Sequence, residues 1–109
     1  MDKRKQIIRN WIGSLYPDQE YSLDLASSDA SFRRYFRLLI ANSSLIIMDA
    51  PPENEEITTF CRLARRFRKL GINVPEILHT EYGLGLVLMS DLGSEHYLDH
   101  LDEHTADRL

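Results

Sequence analysis

The sequence predicts an α+β fold: one mostly antiparallel five-stranded sheet with a packed helix, an N-terminal helix before it and the start of a further helix after it. Three observations carry this prediction. Helical amphipathic periodicity occupies residues 2–16 and again about 57–70. Five short runs rich in branched and aromatic residues read as strands, and turn-forming residues separate them. The links between the first three runs are too short for a parallel crossover, so those strands form an antiparallel meander.

In the first helix Ile7, Ile8, Trp11, Ile12 and Leu15 share one face, and Pro17 ends the pattern. "YSLDLAS" alternates Tyr21, Leu23 and Leu25 with polar neighbours and reads as a strand. A loop of small residues, Ser27 to Ser31, leads to a second strand, "FRRYFRLLIA". "NSS" (42–44) is the expected turn, and "LIIMDA" is a nearly continuous apolar strand, as expected at the centre of a sheet. "PPENEE" breaks the sheet and offers acids to the first turn of a helix. That helix carries Ile57, Phe60, Cys61, Ala64, Phe67 and Leu70 on one face, arginines on the others, and Gly71 at its end. "VPEILHTE", a "YG" turn and "GLVLMSDLG" make a second hairpin. "SEHYLDHLDEHTADRL" opens another amphipathic helix with Tyr97, Leu98 and Leu101 on its apolar side.

Composition sets limits. With 43% hydrophobic and 28% charged residues the chain is globular in character. A net charge of −4 does not suit a general nucleic-acid binder. The single cysteine excludes a disulfide framework, and the absence of a signal-like or spanning apolar run gives the expectation of a cytoplasmic protein with no membrane partner.

The unusual stretch is "SSDASFRRYFRL", a run of small polar residues directly before three arginines. Alternation puts Arg33, Tyr35 and Arg37 on one face of the strand and Phe32, Arg34 and Phe36 on the other. Guanidinium groups at such a place either meet a phosphate or pair with acids such as Glu20, Asp24 or Asp29.

"SSDASFRRYFR", "LIIMDAPPE", a helix closing on "LGINVPEIL", and "GLVLMSDLG" resemble, in order and spacing, the N-terminal lobe of the aminoglycoside phosphotransferase-like kinases. Within that superfamily the chain is most similar to the cell-wall amino-sugar kinases, which phosphorylate the anomeric hydroxyl of N-acetylmuramate and N-acetylglucosamine. The resemblance runs from about residue 5 to residue 101. It implies a kinase-like nucleotide-binding lobe over residues 1–92, with 93–109 as hinge and the start of the next helix, the C-terminal lobe being absent. It further implies ATP, with Mg²⁺ in the complete enzyme. Ser28, Asp29, Ala30 and Ser31 would cover the phosphates, with Arg33 and Arg37 offsetting their charge. Met89 would lie behind the adenine, whose edge the Ser90 carbonyl and the Leu92 amide would read.

One departure concerns the third strand, where a typical kinase has a phosphate-pairing lysine and this sequence has Met48 and Asp49. Two readings of Asp49 stand at this stage. It faces the phosphates across a cation, either Mg²⁺ or Arg37, or it accepts a hydrogen bond in the turn before Pro51 and Pro52. Glu55 and Glu56 read as first-turn partners of the helix dipole, the alternative being the glutamate that pairs with the strand lysine in a typical kinase. His96, His100 and His104 recur along one helix face and read as solvated rather than metal-ligating, and Cys61 reads as a small core residue.

No segment resembles a catalytic loop, so neither catalytic nor metal-ligating residues are expected within these 109 residues, and the chain alone should not catalyse. The resulting expectation is the ATP-binding lobe of a sugar kinase, whose sugar substrate is engaged through the missing lobe. The alternative is a stand-alone interaction module that uses the basic helix face "RLARRFRK" to bind an acidic partner or RNA.

Overall fold

The computed structural model describes residues 3–28, 33–52 and 57–92. The elements are α1 (Lys3–Leu15), β1 (Tyr21–Ser28), β2 (Arg34–Ile40), β3 (Ser43–Asp49), α2 (Thr58–Lys69), β4 (Ile77–Glu81) and β5 (Leu86–Ser90). The five strands form one sheet in the order β1-β2-β3-β5-β4, every neighbouring pair antiparallel. The fold is α+β, as the sequence predicts. The further helix expected after the sheet, with Tyr97, Leu98, Leu101 and the three histidines, falls outside the described residues, as do Glu55 and Glu56.

Both faces of the sheet are covered. On one, Ile8, Trp11 and Ile12 of α1 pack against Leu23, Phe36, Leu38, Ile47, Leu86 and Leu88. On the other, Phe60, Cys61, Ala64 and Phe67 of α2 pack against Tyr35, Ile46, Met48, Val87 and Met89. Each large side chain so buried contributes roughly 1.5–3 kcal/mol of transfer free energy. Two-sided burial explains why β3 lacks alternation: Ile46, Ile47, Met48 and Asp49 are all buried.

Three details differ from the sequence reading. The β2–β3 turn is Ala41–Asn42, with φ of 49° and 65°, the pair of left-handed residues that a two-residue type I′ hairpin requires. Ser43 and Ser44, expected in the turn, therefore begin β3. Leu70 is 66% exposed because α2 has already ended, and Leu63 takes a buried place instead.

The end of α2 is a complete Schellman motif. The Ile72 amide donates to the Phe67 carbonyl and the Gly71 amide to the Arg68 carbonyl, with Gly71 at φ 83°. Gly85, at φ 70°, meets a harder constraint. A Cβ there would lie 1.9 Å from the Ala50 carbonyl oxygen, in the stretch where the Ala50 amide donates to the Gly85 carbonyl at 2.8 Å.

The two glycines thus make a controlled comparison. Gly71→Ala meets open space and pays only for its backbone angle, about 1 kcal/mol. Gly85→Ala must also separate the β4–β5 turn from the end of β3, and should cost about 3 kcal/mol or more. Urea unfolding of the two variants measures both costs.

Candidate functional site

Asp49 is the one buried charged residue among those described, with its side chain 1% exposed. It lies on the α1 face of β3 and accepts from two guanidinium groups. Arg4 of α1 donates from Nε and Nη2 to Oδ1 at 2.8 and 2.5 Å. Arg34 of β2, directly opposite Asp49 in the hairpin register, donates from Nε and Nη2 to Oδ2 at 3.2 and 2.8 Å. Arg4 Nη2 also donates to the Leu84 carbonyl at 2.6 Å, so one side chain links α1, β3 and the β4–β5 turn. The cations beside Asp49 are therefore Arg4 and Arg34. The pairing with Arg37 is corrected: Arg37 projects from the opposite face of the sheet.

Arg37 donates from Nε to Asp91 Oδ2 at 2.9 Å, and Ser44 Oγ donates to the same oxygen at 2.6 Å. Asp91 follows β5 directly, so this cluster joins β2 and β3 to the segment leaving the sheet. It lies on the α2 face, which α2 covers only in part. Toward β1 that face is open, with Ser22 and Asp24 exposed, Leu39 47% exposed, and the Arg37 side chain 34% exposed. Ile46 and Met89, buried on the same face, adjoin this open strip at the exit of β5.

The other sequence-predicted residues distribute as follows. Met89 is fully buried on the α2 face with Met48. Ser90 donates its amide to the Glu76 carbonyl at 3.0 Å, and its Oγ accepts from the Glu76 amide at 2.8 Å, so both groups are turned toward the segment before β4. Leu92 is half-buried beside them. Arg33 places its guanidinium 5.2 Å from the centre of the Phe60 ring, against α2. Ser28 pairs through its backbone with Arg34, and β1 carries a bulge between Leu25 and Ser27 just before the loop. Asp29, Ala30 and Ser31 lie outside the described residues.

The sequence reading missed Arg4, Ser44 and Asp91, and placed Arg34 with the packed residues. One signal was available. A two-residue turn at Ala41–Asn42 sets Arg34 opposite Asp49, whereas a turn over 42–44 slides Asp49 opposite Arg37.

Away from this strip, Thr58, Arg62, Arg65, Arg66, Lys69 and Tyr82 line an open groove of about 380 Å³ between α2 and the β4–β5 turn. Arg65 Nη1 donates to Tyr82 Oη at 3.5 Å, and this bond raises the already high Arg65 pKa. Cys61 lies on the buried side of α2, where burial pushes its thiol pKa up against the smaller opposing pull of Arg65.

A family profile described as the phosphotransferase enzyme family (APH) matches residues 22–109. The chain belongs to the phosphotransferase enzyme family. Its five-stranded sheet and α2 are the kinase-like N-terminal lobe of that family. Among curated proteins it is similar to three N-acetylmuramate/N-acetylglucosamine kinases. That of Neisseria meningitidis is 36% identical over 88% of this chain and 28% of its own length. The Pseudomonas aeruginosa protein is 40% identical over 99% of this chain and 35% of its own. The Pseudomonas putida protein is 43% identical over 81% of this chain and 26% of its own. The chain thus spans about a quarter to a third of the length of the relatives it matches.

Two measurements test the site's electrostatics. Arg4→Met or Arg34→Met alone leaves Asp49 one guanidinium, whereas the double variant leaves a buried carboxylate uncompensated, a loss of about 3–5 kcal/mol. In a urea double-mutant cycle the double variant should therefore lose more than the two single losses combined. For Cys61, both folded and unfolded chains hold the proton at neutral pH, so nothing is lost there. As pH rises through the ordinary thiol range the unfolded chain releases the proton first, and stability falls until the folded thiol titrates. Unfolding midpoints across alkaline pH should fall in the wild type and fall less in Cys61→Ala.

Proposed function

We propose that this chain is the nucleotide-binding lobe of an ATP-dependent kinase that phosphorylates an amino sugar, N-acetylmuramate or N-acetylglucosamine, at its anomeric hydroxyl. In this reading residues 1–92 form the lobe, and 93–109 carry the hinge and the start of the next helix. The observation that carries the reading is the open strip on the α2 face beside the exit of β5, adjoining the buried Met89 and Ile46, in a chain whose relatives bear that kinase name.

Apolar surroundings with backbone groups at one side suit a purine base. Met89 lies behind the base, and the Ser90 carbonyl and Leu92 amide meet its edge, consistent with the Ser90 hydroxyl being engaged elsewhere. The loop from Ser28 through Asp29, Ala30 and Ser31 covers the phosphates, and Arg33, following it, is the cation closest in sequence. ATP supplies the transferable phosphoryl group. Asp49 serves on the opposite face, holding α1 to the sheet. Among the described residues no set of three ligating side chains occurs, and Mg²⁺ would be held chiefly by groups elsewhere in the complete enzyme. Among the described residues no helix is long and apolar enough to cross a membrane, in keeping with small-molecule partners and a cytoplasmic setting.

A second reading has its own observation. Among the described residues Arg62, Arg66 and Lys69 hold no carboxylate, although they line one groove, and this favours an anionic partner at α2.

The protein encoded by the full reading frame should consume ATP with N-acetylmuramate or N-acetylglucosamine and yield the 1-phosphate. The corresponding methyl glycosides, in which the anomeric hydroxyl is blocked, should give no product. Turnover that survives the block would overturn the anomeric assignment, and absence of turnover with any amino sugar would overturn the kinase reading. For the second reading, binding of an acidic peptide should fall steeply between 50 and about 200 mM salt and vanish in Arg62→Glu/Arg66→Glu.

A further inference from the structure

Asp91 stands between Ser90 and Leu92, yet its side chain turns back into the sheet. The carboxylate is 9% exposed, and one oxygen accepts from Arg37 of β2 and from Ser44 of β3. These partners are 54 and 47 residues away in sequence, so the contact is tertiary and fixes the first residue beyond β5 against two strands. On the other side, Ser90 is fixed to Glu76 through both its amide and its hydroxyl. The 90–92 backbone is therefore held from two directions. The same geometry bears on Arg37. Its guanidinium is committed to a carboxylate, and a phosphate brought to it would meet the Asp91 charge as well.

We propose that Asp91, held by Arg37 and Ser44, is a positioning residue that fixes the Ser90 carbonyl and Leu92 amide for the base of the nucleotide, and that Arg37 serves the base end of the site rather than the phosphates. The inference rests on the nucleotide-lobe reading above. Two guanidinium- or hydroxyl-to-carboxylate hydrogen bonds of this kind are strong enough to order a short segment, and ordering it before binding removes an entropic cost from recognition.

The test uses the ¹⁵N-labelled chain with two probes, ATP and inorganic tripolyphosphate, and hydrogen exchange without either. Asp91→Ala and Arg37→Gln should each weaken ATP about tenfold, equivalent to the loss of roughly 1.4 kcal/mol. Tripolyphosphate affinity should stay within about twofold of the wild type. Exchange of the Leu92 amide should accelerate by an order of magnitude or more, a local-opening readout independent of any ligand. Ser44→Ala gives a milder version should the charge variants fold poorly, and Ser44→Thr, which keeps the hydroxyl, should restore the wild-type values. Equal weakening of ATP and tripolyphosphate by Arg37→Gln would make Arg37 a phosphate ligand and overturn the proposal. Unchanged Leu92 exchange in Asp91→Ala would overturn it too. If ATP fails to shift the amides of residues 89–92 in the wild type, the nucleotide reading itself falls and takes the inference with it, an outcome distinct from variants that bind ATP as the wild type does.

Discussion

A carboxylate taken out of water is costly, and the architecture of this lobe is arranged around one. Asp49 is held by Arg4 and Arg34, a helix on one side and a neighbouring strand on the other. Moving such a group from water to the interior costs several kcal/mol, which only close, well-oriented cations offset. The requirement fixes where α1 must lie. Arg4 reaches Asp49 and the Leu84 carbonyl together only if the first turn of α1 sits over the end of β3 and the β4–β5 turn. The next residue, Ala50, docks its backbone on Gly85 of that same turn. A single carboxylate thus gathers four elements at one corner of the sheet, and the N-terminal helix shares a core with the sheet rather than standing as an appendage. The family profile begins at residue 22, after this helix, whereas the match to the Pseudomonas aeruginosa kinase takes in nearly the whole chain.

The other corner is organised by a second carboxylate of different character. Asp91 is held by the Arg37 guanidinium and the Ser44 hydroxyl, lies beside the open strip, and concerns the segment leaving the sheet rather than the core. The three arginines of "RRYFR" that make the sequence conspicuous are thereby separated by function. Arg34 goes to the packed corner, Arg37 to the exit of β5, and Arg33 over the Phe60 ring. Strand alternation alone divides Arg34 from the other two, and the partners divide the rest.

Much of this fold is legible in the sequence because its elements carry strong local signals. Ile8, Trp11 and Ile12 at helical spacing, Gly71 at the end of α2 and the apolar run 45–48 each point to the structure they adopt. The hairpin turn is less legible. Ala41 is a poor residue for a positive φ, so "NSS" is the stronger local signal, and tertiary pairing overrides it. That small displacement alters the register and, with it, the partner of Asp49. Arg4 is invisible to pattern reading for another reason: a basic residue in the first turn of a helix opposes the helix dipole and reads as solvated surface until a carboxylate 45 residues away is placed beside it. Asp91 is similarly obscured, since a polar residue after a strand ordinarily signals a loop.

A sheet covered on both faces loses the usual means of telling its strands which way to face. In a one-sided sheet a slip of one residue turns every apolar side chain toward water, and the penalty is spread along the whole strand. In β3 a slip exchanges Ile46 and Met48 for Leu45 and Ile47, apolar for apolar, at little cost in burial. The information that distinguishes the two orientations is concentrated at Asp49, whose carboxylate is satisfied on the α1 side and would meet Tyr35 and Val87, the neighbours of Met48, on the other. The buried charge is thus an address as well as a contact: it specifies which face of the central strand is which, in a place where hydrophobicity is silent.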